Sequence, residues 1–168
     1  MTHVETSLRS VLVHCEGLPR TAFAADETLI GEGPATGRMF ILASGTIAVL
    51  RNETVVARIA EPGAVFGEMA AFLGGDHTAT VRAETPVEAF VIEDARAYLQ
   101  GHPEIVFHVA SILAGRLQQA TTYLADLKRQ FADRDDHFGM VDEVLEALVQ
   151  RQRPRARVGS ELAEDPRL

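Results

Sequence analysis

Between Arg20 and Ile92 every apolar run is short and every one is stopped by a glycine, a proline or a polar turn pair, and this rhythm excludes most folds. The runs are Thr28-Leu29-Ile30, Met39 to Leu42, Ile47 to Leu50, Val55 to Ile59, Thr78 to Val81 and Val87 to Ile92. Between them stand Gly31, Gly33-Pro34, Gly37, Gly45, Asn52-Glu53, Pro62-Gly63 and Gly74-Gly75. An amphipathic helix needs ten or more residues of 3.6-residue periodicity, and a parallel sheet needs a crossover helix between strands. Neither fits between these turns. The region therefore reads as a jelly-roll-like β-roll of about eight short strands.

Helical periodicity flanks the roll. From Thr6 to Cys15 the apolar positions Leu8, Val11, Leu12 and Cys15 share one face, and Gly17-Leu18-Pro19 ends the pattern. After Glu93 the pattern turns helical through Leu99, then from Pro103, a favoured first-turn residue, to about Arg134. Along that stretch Leu117, Ala120, Leu124, Leu127 and Phe131 are spaced three, four, three and four, the spacing of a coiled-coil seam. Two turns of the seam extend past what the flank of a roll can cover, so a homodimer is expected through these five residues. A further helix runs to about Gln150 with Phe138, Val141, Val144, Leu145, Leu148 and Val149 on one face. From Arg151 to Leu168 basic and acidic residues alternate with two prolines, and this tail is expected to be disordered. The expected organisation is a domain over 1–134 that includes the long helix, an added amphipathic helix over 135–150, and the tail over 151–168. The fold class is mainly β plus α.

Composition limits the function classes. A chain of 168 residues that is 46% hydrophobic and 24% charged can bury a core without disulfides or a structural metal. The 24 acidic and 16 basic side chains give a formal charge of -8, which repels phosphate backbones and anionic lipid surfaces. Neither nucleic acid nor membrane is expected as a partner. The single Cys15 has no intramolecular partner, and no Cys/His cluster has zinc spacing, so no metal is expected and a reducing compartment, the cytoplasm, is. The N-terminus carries Glu5, Arg9 and His14 through its apolar run and lacks a signal-peptide core.

The segment that carries chemistry is Phe66-Gly67-Glu68-Met69-Ala70-Ala71-Phe72-Leu73-Gly74-Gly75-Asp76-His77-Thr78-Ala79-Thr80-Val81. It reads as a glycine-opened turn into one helical turn, followed by a return strand. Main-chain N–H groups at such a start attract an anion, and the small residues Ala70, Ala71, Thr78 and Ala79 let a ligand approach the backbone. A carboxylate at Glu68 is out of place beside an anion unless it accepts a hydrogen bond from a hydroxyl of the same ligand.

This segment resembles the phosphate-binding cassette of the cyclic-nucleotide-binding family, whose pattern is Phe-Gly-Glu-Leu/Met-Ala followed by Arg-Ala/Ser/Thr-Ala-Thr-Val. The family includes bacterial catabolite activators, kinase regulatory subunits and nucleotide-gated channels. The resemblance extends from Leu12 to Phe131 through Asp26 to Ile30, Met39 to Gly45 and Pro62-Gly63. It implies a cyclic-nucleotide site formed by Phe66, Gly67, Glu68, Met69, Ala70, His77, Thr78, Ala79 and Thr121. Glu68 would bind the ribose 2′-hydroxyl, and the amides near Ala70 and Ala79 would hold the cyclic phosphate. Thr78 stands where cGMP-preferring members carry threonine, and Ala120 and Thr121 align with the base-contacting positions of the family's helix. The ligand is cAMP or cGMP, and no cofactor is implied.

One position departs from the pattern: His77 replaces the arginine that pairs with the phosphate. A guanidinium offers a permanent charge and a planar fork, whereas an imidazole has at most two diverging donors and is largely neutral at pH 7. Loss of such a contact costs about 2 to 4 kcal/mol, or roughly thirty- to a thousand-fold in affinity. Three readings stand open: a protonated His77 that still pairs with phosphate, a pocket retuned to another ligand, and a pocket that binds nothing. Arg82, at odd separation along the strand, points to the opposite face.

Catalytic readings fail on composition of the motifs. Metal-dependent cupins share a roll but need a His-x-His pair, and His14, His102, His108 and His137 are scattered and read as surface or boundary residues. No nucleophile triad and no glycine-lysine phosphate loop occurs, so an enzyme is not expected. Few residues follow Phe131, too few for a winged helix-turn-helix. The expectation is a ligand sensor that signals through its C-terminal helices. The alternative is a ligand-free dimeric adaptor on a degenerate member of the same fold.

Overall fold

The computed structural model describes residues 11–130 and 139–150. The helical residues 11–14 lead into eight strands: β1 Arg20–Phe23, β2 Thr28–Ile30, β3 Met39–Ser44, β4 Ile47–Arg51, β5 Thr54–Ile59, β6 Val65–Phe66, β7 Thr80–Ala83 and β8 Val87–Ile92. Four helices accompany them: α1 Glu68–Leu73, α2 Ala95–Gly101, α3 Pro103–Gln130 and α4 Gly139–Gln150. The strands form two antiparallel sheets, ordered β1-β8-β3-β6 and β2-β7-β4-β5. This is the expected β-roll with a long C-terminal helix.

The two sheets enclose one core and the helices complete a second. Ile30, Phe40, Leu42, Ile47, Phe66, Val81, Val87 and Val91 fill the space inside the roll. Met39 and Ile41, which alternate with Phe40 and Leu42 along β3, face the other way and pack with Val65, Ile92, Val11, Cys15, Leu99, Ile105 and Val109. Four consecutive residues of β3 are therefore buried, each face against a different cluster. That explains an unbroken apolar run in a strand of an antiparallel sheet. The β4–β5 hairpin turns on Asn52 and Glu53, both at positive φ (48° and 61°), as a two-residue hairpin loop requires.

The strand boundaries differ from the sequence reading at three places. β1 and β6 have no periodic signature: β1 is four residues with mostly exposed side chains, and β6 is two. Both exist because β8 and β3 offer pairing partners, Arg20 opposite Phe90 and Phe66 opposite Phe40. β7 begins at Thr80 rather than Thr78, because the chain at His77 is held elsewhere, by an isolated bridge to Gly33.

His108 corrects the expectation of a surface or boundary residue: it is 5% exposed, and its Nε2–H donates to the Gly63 carbonyl at 3.0 Å. His14 is exposed, as expected. His102 is half-buried and stacks on Tyr98, ring centroids 3.7 Å apart. His137, Phe131, Phe138 and the stretch 151–168 lie outside the described residues, as does the first half of the Thr6 to Cys15 helix.

By internal contacts the chain divides into a first unit ending at Ala114 and a second beginning at Gly115. The second unit contains the remainder of α3, with Leu117 and Tyr123 exposed and Leu124 and Leu127 half-buried, and α4, with Val144 and Leu148 exposed. No helix among the described residues is long and apolar enough to cross a membrane.

Candidate functional site

β6 delivers the chain to the site. Its two residues pair with Phe40 and Ile41 of β3, and the next residue, Gly67, adopts φ 87° and ψ -1° to start α1. Only glycine fits there: a Cβ would stand 2.6 Å from the Arg38 carbonyl oxygen, 3.1 Å from Ile30 Cδ1 and 3.5 Å from Met39 Cα. The tight approach brings the head of α1 beside the start of β3. Glu68 opens the helix and is 4% exposed, a carboxylate withdrawn from water. No side chain caps the first turn of α1, and the helix ends at Gly74 and Gly75, both at positive φ.

The return limb is fixed by the β2–β3 connection. His77 N–H donates to Gly33 O at 2.7 Å, and Gly33 N–H donates back to His77 O at 3.0 Å. The His77 ring, 6% exposed, lies against the same loop: Thr36 N–H donates to Nε2 at 3.2 Å, and Thr36 Oγ1 is 3.3 Å from that nitrogen. Glu32 N–H donates to Thr80 Oγ1 at 3.0 Å, which ties the start of β7 to the loop as well. Along β7, Val81 and Ala83 are buried while Thr80 and Arg82 are half-buried, so Arg82 points away from the core; His77 lies outside the strand, and the alternation of β7 does not extend to it.

Of the residues singled out from the sequence, Phe66, Gly67, Glu68, Met69 and Ala70 are contiguous at the head of α1, and His77, Thr78 and Ala79 form the limb that returns beside it. Phe66 is buried in the roll core, Met69 and Thr78 are exposed, and Ala70 and Ala79 are half-buried. The N–H groups of Thr78 and Ala79 make no hydrogen bond among the described residues. Thr121 belongs to the second unit, and its hydroxyl donates within its own helix, to Leu117 O at 2.9 Å and Gln118 O at 3.0 Å.

A cavity of about 170 Å3 opens beside the cassette, lined by Gly67, Ala70, Ala71 and His77 together with Arg38, Asp94 and Arg96. Arg38 Nε is paired with Glu93 at 2.6 Å, and Asp94 Oδ1 caps α2 by accepting from Ala97 N–H at 3.0 Å. The Arg96 side chain has no hydrogen-bond or ion-pair partner among the described residues. Sequence reasoning missed Thr36, Arg38 and Arg96. Nothing local marks them, since they reach the cassette only through the packing of the β2–β3 loop and the start of α2. Among the described residues no group of three His, Cys, Asp or Glu side chains has metal-binding geometry.

The comparisons agree with this architecture. Residues 20–98 match the family model described as cyclic nucleotide-binding domain. A CRP-like cAMP-activated global transcriptional regulator of Mycobacterium tuberculosis is 31% identical over 111 residues, 62% of this chain and 50% of that protein. The cAMP-activated global transcriptional regulator CRP of Pasteurella multocida is 27% identical over 131 residues, 74% of this chain and 61% of that protein. The chain thus spans half to three-fifths of the curated relatives it matches. Among solved structures, the Thermus thermophilus catabolite activator protein superposes with a TM-score of 0.59 at 21% identity, covering 87% of each chain. The CBD2 domain of PKAR bound to Sp-2Cl-cAMPS superposes with a TM-score of 0.55 at 20% identity, covering 74% of this chain and 84% of that one.

Proposed function

We propose, from the match of residues 20–98 to the cyclic nucleotide-binding domain model, that this chain is a sensor that binds a cyclic mononucleotide at its Gly67 to Ala79 cassette and signals through its C-terminal helices. The observation that carries the reading is the buried carboxylate of Glu68 at the head of an uncapped helical turn. A carboxyl oxygen held at that point of the cassette is an acceptor that a ribose hydroxyl can donate to. The N–H groups of Thr78 and Ala79 supply donors for the cyclic phosphate. The names of the curated relatives favour cAMP, and Thr78 leaves cGMP as the second ligand to test.

The output elements are α3 and α4. Leu117, Ala120, Leu124 and Leu127 keep their seam spacing along α3, and with Phe131 they form the proposed homodimer contact. The apolar positions Val144 and Leu148 of α4 are exposed and are the surface offered to a downstream protein.

Thermal unfolding with cAMP and cGMP tests the proposal. A ligand at 100 times its Kd stabilises by about 2.7 kcal/mol, and Glu68→Gln should lower the affinity at least tenfold. Sedimentation should show a dimer that Leu124→Asp with Leu127→Asp converts to monomer. No thermal shift with either nucleotide at millimolar concentration overturns the sensor and leaves the adaptor.

A further inference from the structure

We propose that His77 and Thr36 form a proton-operated latch on this site, so that a cyclic nucleotide captures the imidazole as a cation only when Thr36 lets it go, and binding takes up a proton; the inference rests on the cassette being a cyclic-nucleotide site. The geometry fixes the starting state. A main-chain N–H can only donate, so the nitrogen it faces must offer a lone pair. With Thr36 N–H directed at Nε2 over 3.2 Å, His77 is the neutral ring that carries its proton on Nδ1. The Thr36 hydroxyl at 3.3 Å adds a second contact to the same nitrogen, and the paired amides of His77 and Gly33 hold the backbone to the same loop.

The cavity beside the ring is walled by Arg38 and Asp94, by Arg96 on α2, and by the uncharged Gly67, Ala70 and Ala71 of the cassette. Arg38 is already paired with Glu93, the Asp94 carboxylate is engaged as a helix cap, and Arg96 adds a positive charge whose side chain has no partner among the described residues. A proton placed on Nε2 would point at a donor and add a second cation near Arg96. A phosphodiester reverses the balance: its charge favours the imidazolium, whose two N–H groups then both have use as donors. The proton comes from solvent, Thr36 N–H loses its acceptor, and the 33–37 loop is released from the ring. Where the family arginine is a fixed charge, His77 makes ligand affinity conditional on pH.

The sign follows. If the bound ring is protonated and the free ring neutral, affinity rises as pH falls, by up to tenfold per pH unit for one proton taken up. The test is 15N NMR of the histidine imidazoles in the full chain, paired with calorimetric Kd values for cAMP between pH 8 and pH 6. The ligand-free protein at pH 8 should show His77 as the Nδ1–H tautomer, and saturating cAMP should convert that ring to imidazolium. Wild type should bind tighter at the lower pH. His77→Gln, which keeps hydrogen-bonding groups but cannot titrate, should give a flat profile. Thr36→Val, which removes one of the two contacts to Nε2, should strengthen cAMP binding at pH 8, since less holds the ring to the loop. An Nε2–H tautomer in the free protein overturns the latch. Binding with one Kd across the pH range also overturns it, and leaves the cyclic-nucleotide reading standing. No binding at any pH, with the ring in the Nδ1–H form, overturns that reading and the coupling with it.

Discussion

Replacing Gly67 by alanine separates two costs that are usually confounded, because Gly75 offers the same backbone strain without the crowding. Gly67 has φ 87° and Gly75 φ 86°, so each Ala variant pays for a left-handed residue, about 1 to 2 kcal/mol. Part of that is offset by the smaller entropy of the unfolded chain, roughly 0.4 to 1 kcal/mol. At Gly75 nothing lies within 4 Å of the new Cβ, and the net loss should be about 1 kcal/mol. At Gly67 the Cβ meets the Arg38 carbonyl at 2.6 Å and Met39 Cα at 3.5 Å, and Met39 is fully buried, so the neighbour that must give way is main chain. Forced overpacking of this kind adds about 1 to 3 kcal/mol, for a total of about 2 to 4. At about 4 °C per kcal/mol for a domain of this size, Gly67→Ala should lower Tm by about 8 to 16 °C and Gly75→Ala by about 4 °C. Calorimetry or circular dichroism reads both. Equal shifts in the two variants would refute the argument that close packing onto β3, rather than φ, makes glycine necessary at the head of the cassette.

Two further outcomes follow from buried groups. His108→Leu removes the donor to the buried Gly63 carbonyl and should cost about 1 to 3 kcal/mol in urea unfolding, with His108→Gln recovering part of it; no loss in the leucine variant would mean that the bond holds nothing. Cys15 is fully buried with Sγ 3.4 Å from Val11 O, and burial pushes its thiol up to about 11. Folding therefore favours the protonated thiol, a contribution intact below about pH 9 and lost as pH rises through 11. Wild type should lose more stability than Cys15→Ala between pH 8 and pH 11, and a disulfide reagent at pH 8 should label Cys15 only on unfolding.

The residues that make turns act locally, and this is why the roll is legible in the sequence. Asn52-Glu53, Gly45 and Gly74-Gly75 adopt positive φ where a short strand must reverse or a helix must stop, and the apolar runs between such positions became strands because nothing longer could form. The cassette was legible for the same reason, since Gly67, Glu68 and the small residues after them act within one turn of chain. The seam spacing of α3 is also a property of sequence, and it placed a long helix from Pro103 onward.

Tertiary structure decided what depends on pairing across distance. β1 and β6 are too short to announce themselves and exist because β8 and β3 supply their hydrogen bonds. His108 carries no mark of burial in its own helix; the Gly63 carbonyl, 45 residues away, is what lets an imidazole sit in the interior. The His77 backbone bridges to Gly33, which moves the start of β7, and the ring meets Thr36, 41 residues earlier in a loop without periodicity, which fixes which ring nitrogen accepts. Chain-local conformational preference wrote the first set into the sequence, whereas the second set belongs to hydrogen bonds whose two ends meet only once the roll has closed.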